Sequence, residues 1–233
     1  MSKRFLPVLL LLATAAMAGC GDEGDDSASD TPTAASSTAQ ASAPASDVSC
    51  DYPADQFGAA KDNEPPPGTP TVAGAVTATV TTTIGDMTFT LDADKAPCTV
   101  NSFVSLAQQN YFNGTHCHRM TTQGIFVLQC GDPTASGTGG PGYTIPDELD
   151  GSEAYPAGTL AMAKTSAPNS GGSQFFIVYA DTQLPPDYTV FGTVDDATVA
   201  AIADVASQGT DDSNGPGDGA PKQDVEIETV TIK

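Results

Sequence analysis

Residues 76–91 read Val-Thr-Ala-Thr-Val-Thr-Thr-Thr-Ile-Gly-Asp-Met-Thr-Phe-Thr-Leu. In the first half, Val76, Ala78 and Val80 alternate with threonines, and this period of two places the apolar side chains on one face of a β-strand. Gly85-Asp86 is a turn signal, after which residues 87–91 have the pattern of a returning strand. The stretch therefore predicts an antiparallel hairpin at the start of a mainly β domain.

The same kinds of pattern predict six more strands and two helices along the rest of the chain. Apolar residues at helical spacing indicate a helix over 99–112, which Asn113-Gly114 should end, and a second helix over 198–207. Strands and helices do not alternate as βαβ units, so we expect an eight-stranded antiparallel β-barrel capped by two α-helices. The further strands are expected at 117–120, 126–130, 158–164, 173–179, 189–194 and 225–233.

The N-terminal region has the pattern of a targeting segment followed by a tether. Lys3 and Arg4 precede an apolar run that is too short to span a membrane, and small residues then lead into Cys20. This resembles a bacterial lipoprotein signal and predicts a signal peptide over 1–19, lipidation of Cys20 and an extracytoplasmic, membrane-anchored protein. An ordinary secretory signal, with Cys20 as a bystander, is the alternative.

Composition divides the remaining chain into three parts. Residues 20–49 are acidic and rich in Ser, Thr, Ala and Pro, so they are predicted to form a disordered tether. Residues 50–70 are transitional, because the run Pro65-Pro66-Pro67-Gly68 argues against regular structure. The folded domain is expected over 71–233.

The charge of the chain excludes one class of partner. Eight Lys and Arg residues face 29 Asp and Glu residues, which gives a formal net charge of −21. Little basic surface is available to neutralise phosphates, so nucleic-acid binding is not expected.

Four cysteines follow Cys20, and in an exported protein they predict two disulfides. Three pairings are possible, and the sequence leaves them open. A bridge from Cys50 would pin residues 50–70 to the domain. Cys117 and Cys130 belong to neighbouring predicted strands, but regular alternation would put them on opposite faces, so joining them would need a bulge. The candidate disulfide cysteines are Cys50, Cys98, Cys117 and Cys130.

The residues that could do chemistry are concentrated in one place. Arg119 is the only arginine besides Arg4, and it lies beside His116 and His118, the only two histidines. A surface ion pair of little energetic value is the simplest explanation for such an arginine. The two histidines would share a strand face without further ligands nearby, so we expect neither a metal nor a cofactor.

Several motifs nevertheless fit one known family in order and in spacing. Together they resemble the cyclophilins, over roughly residues 71–233, and that resemblance implies an eight-stranded barrel with two helices and peptidyl-prolyl cis/trans isomerase activity. The motifs are His118-Arg119, Phe126-Val127-Leu128-Gln129, Gly131-Asp132, Leu160-Ala161-Met162-Ala163, Pro168-Asn169, Ser173-Gln174-Phe175-Phe176-Ile177 and Val190-Phe191-Gly192.

The resemblance also implies roles for individual residues. Arg119 would be the catalytic arginine, held by Gln129, and Phe126 would complete the catalytic set. Residues that bind the substrate would be Val127, Ala163, Gln174, Phe176, Leu184 and Tyr188.

The expected function is to accelerate X-Pro isomerisation and the folding of exported, proline-containing polypeptides, as a monomer. A cyclophilin-like chaperone or scaffold that binds proline segments and catalyses weakly is the alternative. Three departures from the family, Lys164, Leu184 and Tyr188, keep this alternative open. Leu184 stands where cyclosporin-sensitive members have Trp, and the loss of the indole N–H predicts weak cyclosporin binding.

Overall fold

The computed structural model describes residues 48–233, and these form two helices and twelve strands. The helices are α1 (Pro97–Gln108) and α2 (Asp196–Ser207). The strands are β1 (Ala54–Ala59), β2 (Ala75–Thr82), β3 (Gly85–Asp92), β4 (Thr115–His116), β5 (Arg119–Thr121), β6 (Val127–Cys130), β7 (Pro141–Tyr143), β8 (Thr159–Met162), β9 (Phe175–Val178), β10 (Val190–Val194), β11 (Asp218–Gly219) and β12 (Glu226–Ile232).

The predicted hairpin is confirmed. β2 and β3 pair antiparallel without interruption, from Ala75 opposite Asp92 to Thr82 opposite Gly85. Val76, Ala78 and Val80 are buried while the intervening threonines are partly exposed, as alternation requires.

Ten of the strands form one curled antiparallel sheet, in the order β11-β5-β6-β9-β8-β10-β3-β2-β12-β4. β4 lies at one edge and β5 near the other, yet only Cys117 and His118 separate them in the chain. The two edges must therefore approach each other, which curls the sheet on itself. The mainly β class is confirmed, but the count of eight was too low because β1, β4, β7 and β11 are very short or pair over long distances.

Both predicted helices are present, with one boundary corrected. α1 ends at Gln108, earlier than the predicted Asn113-Gly114, because Asn110 adopts a left-handed φ of 58° and turns follow. α1 begins with Pro97, and the Glu148 carboxylate accepts hydrogen bonds from the next two backbone N–H groups. α2 has Asp195 as its N-cap, which accepts from the Thr198 N–H.

Aromatic rings fill the space between sheet and helices. Phe103 of α1 packs against Phe89, Phe112, Phe175 and Phe191, with ring centroids 5.0–6.2 Å apart. All five side chains are buried. These rings form the aromatic centre of the core.

Residues 50–68 form a segment that we call the N-terminal clasp, because it holds α1 at both ends. A disulfide joins Cys50 to Cys98 in the first turn of α1. Beyond the last turn, the Lys61 ammonium group donates to the carbonyls of Asn110, Tyr111 and Asn113. β1 lies within the clasp and pairs with β7. This region was predicted to lack regular structure, and its strand was missed because β7 lies far along the chain.

The second disulfide joins Cys117 to Cys130. Regular alternation argued against this pairing, but the strand is interrupted at Cys117-His118, between β4 and β5. The interruption breaks the alternation between Cys117 and Arg119, so Cys117 can reach Cys130 on β6.

Two predictions lie partly or wholly outside the described residues. They are the signal peptide over 1–19 with its lipidation at Cys20, and the tether over 20–49. Within residues 48–233, neither helix has the length and apolar character needed to cross a bilayer.

Candidate functional site

Four neighbouring strands, β5, β6, β9 and β8, bring predicted site residues together. Arg119 on β5 lies opposite Gln129 on β6, and Gln129 lies opposite Phe176 on β9. Phe176 in turn lies opposite Ala161 on β8. Residues directly opposite each other in an antiparallel pair have neighbouring side chains, so strand register alone gathers this set.

A small pocket opens over these strands, with a volume of about 160 Å³. This is below the range of about 300–1,000 Å³ that is usual for drug-sized ligands, and it suits a group the size of one small ring. Five of the nine lining side chains are hydrocarbon, and Arg119, Gln129 and Lys164 add polar and charged groups, so the pocket surface is mixed. The lining residues are Arg119, Ile125, Val127, Gln129, Ala163, Lys164, Phe176, Leu184 and Tyr188.

Seven of the nine predicted catalytic and substrate-binding residues line the small pocket, and Gln174 and Phe126 do not. The placement of Phe126 is a correction: its ring packs edge-on against Tyr179, with centroids 6.0 Å apart. Ile125, Val127 and Gln129 alternate along the chain and share the pocket side. By the same alternation Phe126 lies on the side away from the pocket. Ile125 is therefore a pocket-lining residue that the resemblance to the family did not indicate.

The side chain of Arg119 is held by a residue that the sequence did not single out. Its Nε and Nη2 groups donate to the two carboxylate oxygens of Asp218, over 2.8 and 2.7 Å. These hydrogen bonds raise the pKa of Arg119 and lower the pKa of Asp218. The expectation that Gln129 holds Arg119 is therefore wrong: the Gln129 amide instead donates to Gln174 over 2.8 Å.

Gln174 belongs to a second, larger cavity of about 920 Å³. Its amide donates to the Gly139 carbonyl and so ties the glycine-rich loop of residues 137–142 to β6 and β9. β1 of the N-terminal clasp forms another wall, where Phe57 is 83% exposed. Gln129, Ala163 and Lys164 line both cavities, so the two are adjacent.

The fold agrees with comparisons to known proteins. Residues 77–232 match the family model described as "Cyclophilin type peptidyl-prolyl cis-trans isomerase/CLD". The chain belongs to the cyclophilin family. Its enzyme class is accordingly that of the peptidyl-prolyl cis-trans isomerases, as the family model and the names of its relatives state.

Two relatives carry the name "Probable peptidyl-prolyl cis-trans isomerase B". The protein from Mycobacterium leprae is 44% identical over 200 residues, which cover 79% of this chain and 67% of that protein. The protein from Mycobacterium tuberculosis is 42% identical, with 79% of this chain and 64% of that protein covered. The cyclophilin chain thus spans about two thirds of the length of these relatives.

Solved structures show the same fold. A cyclophilin-type isomerase from Cryptosporidium parvum is 29% identical with a TM-score of 0.60, and 68% of this chain and 98% of that chain are covered. A second structure of that protein, obtained in the presence of the dipeptide Ala-Pro, gives a TM-score of 0.59 at 30% identity, with 67% and 98% covered.

Lys164, which lines the small pocket, forms ion pairs with two aspartates. The ammonium group of this 4% exposed side chain lies 3.1 Å from Asp187 and 3.6 Å from Asp147. Burial opposes the charged form, but the two carboxylates outweigh it and the pKa of Lys164 is raised. Asp187 immediately precedes Tyr188, whose ring stacks edge-on against Phe176 at 5.4 Å. Lys164 thereby fixes the segment that closes the pocket.

We expect Lys164→Met to raise KM for proline peptides severalfold with little change in kcat. Methionine keeps the length of the side chain but loses the ion pair with Asp187, so Tyr188 would be less firmly positioned. Steady-state isomerisation kinetics over a range of peptide concentrations would measure this. The control is Lys95→Met, which alters an exposed lysine outside both cavities. Equal KM values for the two variants would contradict the assignment.

The two histidines have separate environments. His116 pairs with the exposed Asp224 over 2.8 Å. With Glu226 these two residues form the cluster of three potential metal ligands found among residues 48–233, and we assign no metal to it. His118 lies against Gly137, its ring nitrogens are buried without hydrogen-bond partners, and burial lowers its pKa.

Proposed function

We propose that this cyclophilin isomerises X-Pro bonds by placing the prolyl ring in the small pocket while Arg119 acts on the imide nitrogen. The observation that carries the proposal is that the Arg119 side chain lines a small pocket together with hydrocarbon side chains. Val127 and Phe176 are buried and offer apolar walls for the ring. Ile125, Leu184 and Tyr188 pack against them.

The chemistry requires no bond to be broken. Rotation about a peptide bond faces a barrier of about 18–20 kcal/mol, because the nitrogen lone pair is delocalised in the planar state. In the twisted state that lone pair is localised and can accept a hydrogen bond. A donor that reaches the nitrogen favours the twisted state over both planar states, which is the condition for catalysis. Arginine suits this role because it stays charged and presents several fixed N–H groups.

We further propose that the protein acts on exported polypeptides outside the cytoplasm, as a monomer. Its two disulfides support this proposal, since such bonds persist mainly in oxidising compartments. A lipid on Cys20 would anchor the domain to a membrane surface. Mass spectrometry of the mature N-terminus tests the anchor, and an unmodified Cys20 after export would exclude it.

A protease-free isomerisation assay tests the activity. Proline tetrapeptides with different residues before proline would be followed by NMR exchange spectroscopy, with and without the full chain. We expect acceleration of cis/trans exchange at substoichiometric enzyme. A preparation that binds these peptides without accelerating exchange would instead select the chaperone or scaffold function, which the altered Lys164, Leu184 and Tyr188 keep open.

A further inference from the structure

We infer that Asp218 is a positioning residue for catalysis, and that it orients the Arg119 guanidinium so that its free N–H groups face the small pocket. This inference rests on the proposed function of Arg119. Its basis is the two-point contact in which both carboxylate oxygens of Asp218 accept from Arg119, at 2.7 and 2.8 Å. A paired contact of this type fixes the plane of a guanidinium group as well as its distance.

The loop that presents Asp218 is itself firmly built. We call residues 210–221 the acidic loop. Asp211 accepts from the backbone N–H groups of Ser213 and Ala220, and Asp212 accepts from the N–H of Gly217. A Cβ atom at Gly219 would lie 2.0 Å from the Asp211 carboxylate, so the close packing of the loop requires glycine there.

The acidic loop is also joined to the strand that carries Arg119. Asp218 and Gly219 form β11 and pair with Thr121 and Met120 of β5. The Thr122 N–H donates to the Gly217 carbonyl over 2.8 Å. Arg119 and Asp218 are therefore placed by one continuous piece of backbone structure, even though 99 residues separate them in the chain.

The contact leaves part of the arginine available. A guanidinium group has five N–H donors, and Asp218 engages Nε and one position on Nη2. Both N–H groups of Nη1 remain for the substrate. Because the ion pair is only partly exposed, with 35% of the Arg119 side chain and 27% of the Asp218 side chain accessible, water competes only partly for these groups.

Asp218→Asn provides the first test, since it keeps the shape of the side chain but removes its charge. We expect kcat/KM to fall about tenfold, mainly through kcat, because small displacements of a catalytic group are costly and an ångström can cost up to about 10²-fold. The matched control is Asp224→Asn, which removes the same charge from an exposed residue away from both cavities. Unchanged or higher activity in Asp218→Asn would overturn the inference.

A double-mutant cycle tests whether Asp218 contributes to catalysis only by positioning Arg119 or also independently of it. If Asp218 acts only through Arg119, then Asp218→Asn should cause no further loss when added to Arg119→Ala. A further loss would overturn the inference. If Arg119→Ala itself kept full activity, the proposed role of Arg119 would fail. Loss with Arg119→Ala and none with Asp218→Asn would reject only the positioning role.

The NMR signal of the Arg119 Nε–H group distinguishes a change in the position of the guanidinium group from a general loss of stability. The chain contains only Arg4 and Arg119, and removal of residues 1–19 would leave Arg119 alone, so the Nε–H signal that disappears in Arg119→Lys is that of Arg119. In Asp218→Asn this signal should shift and exchange faster with solvent while the backbone spectrum is retained. An unchanged signal would contradict the inference.

The pH profile adds a second check. Arg119 lowers the pKa of Asp218, so the paired carboxylate persists below the ordinary aspartate value of about 3.9 and is lost only as the pH falls through the lower folded-state value. The activity ratio of wild type to Asp218→Asn should therefore stay constant from about pH 5 to 8. A ratio that changes across that range would contradict the assignment of the effect to the Asp218 carboxylate.

Discussion

Arg119→Ala is expected to lower kcat/KM for proline peptides by about 10²- to 10³-fold, the usual cost of removing one preorganised donor from an active site. Arg119 is one of the residues that line the small pocket, and the hydrocarbon side chains that would hold the prolyl ring come from other residues. The loss should consequently appear mainly in kcat, while peptide binding is largely retained. NMR exchange spectroscopy measures the rate, and peptide titration measures the affinity.

Arg119→Lys is the matched variant for this experiment. Lysine keeps the positive charge but lacks the planar fork that pairs with both oxygens of Asp218. We expect an activity between those of alanine and wild type. Full activity in Arg119→Ala, with an intact backbone spectrum, would show that another group stabilises the twisted amide.

Removal of the Cys50–Cys98 disulfide is expected to cost about 4 kcal/mol of unfolding free energy, by the chain-entropy relation for a bridge that spans 48 residues. The bridge anchors the N-terminal clasp to α1, so part of the cost should come from loosening of the clasp. The double variant Cys50→Ala/Cys98→Ala avoids a free thiol. Urea unfolding under non-reducing conditions measures the change.

The double variant Cys117→Ala/Cys130→Ala provides a matched comparison within the same chain. Its bridge spans only 13 residues, for which the same relation gives about 3 kcal/mol. The Cys50–Cys98 variant should therefore lose more stability. The Cys117–Cys130 variant should lose more isomerase activity, because its cysteines lie within two residues of Arg119 and Gln129. A reversed order in either measurement would contradict these assignments.

The sequence predicted what local periodicity controls. The β2–β3 hairpin follows from alternating residues and a short turn, and α2 follows from apolar residues at helical spacing. β1 was missed because its only strand partner is β7, more than 80 residues away, and because prolines follow it. Long-range pairing of short strands leaves little trace in a local pattern.

The differences between the predicted and the observed site residues also arise from structure that a local sequence pattern does not show. Phe126 was placed in the pocket by its fixed distance from Gln129, although strand alternation from Gln129 leads to Val127 and Ile125. The alternation of the backbone therefore places Ile125, and not Phe126, in the lining of the small pocket. Asp218 gave no local signal, because it is one of several aspartates in a glycine-rich stretch and its contact with Arg119 arises only after folding.

The N-terminal clasp sets a lower limit on how far this domain can be shortened. A version that begins at Thr77, where the family match starts, would lose Cys50, the Lys61 contacts beyond α1 and the first two residues of β2. Cys98 would then carry an unpaired thiol at the start of α1, able to cross-link two copies under oxidising conditions. The disulfide and the hydrogen bonds that hold the region of α1 thus extend beyond the residues that the family model matches.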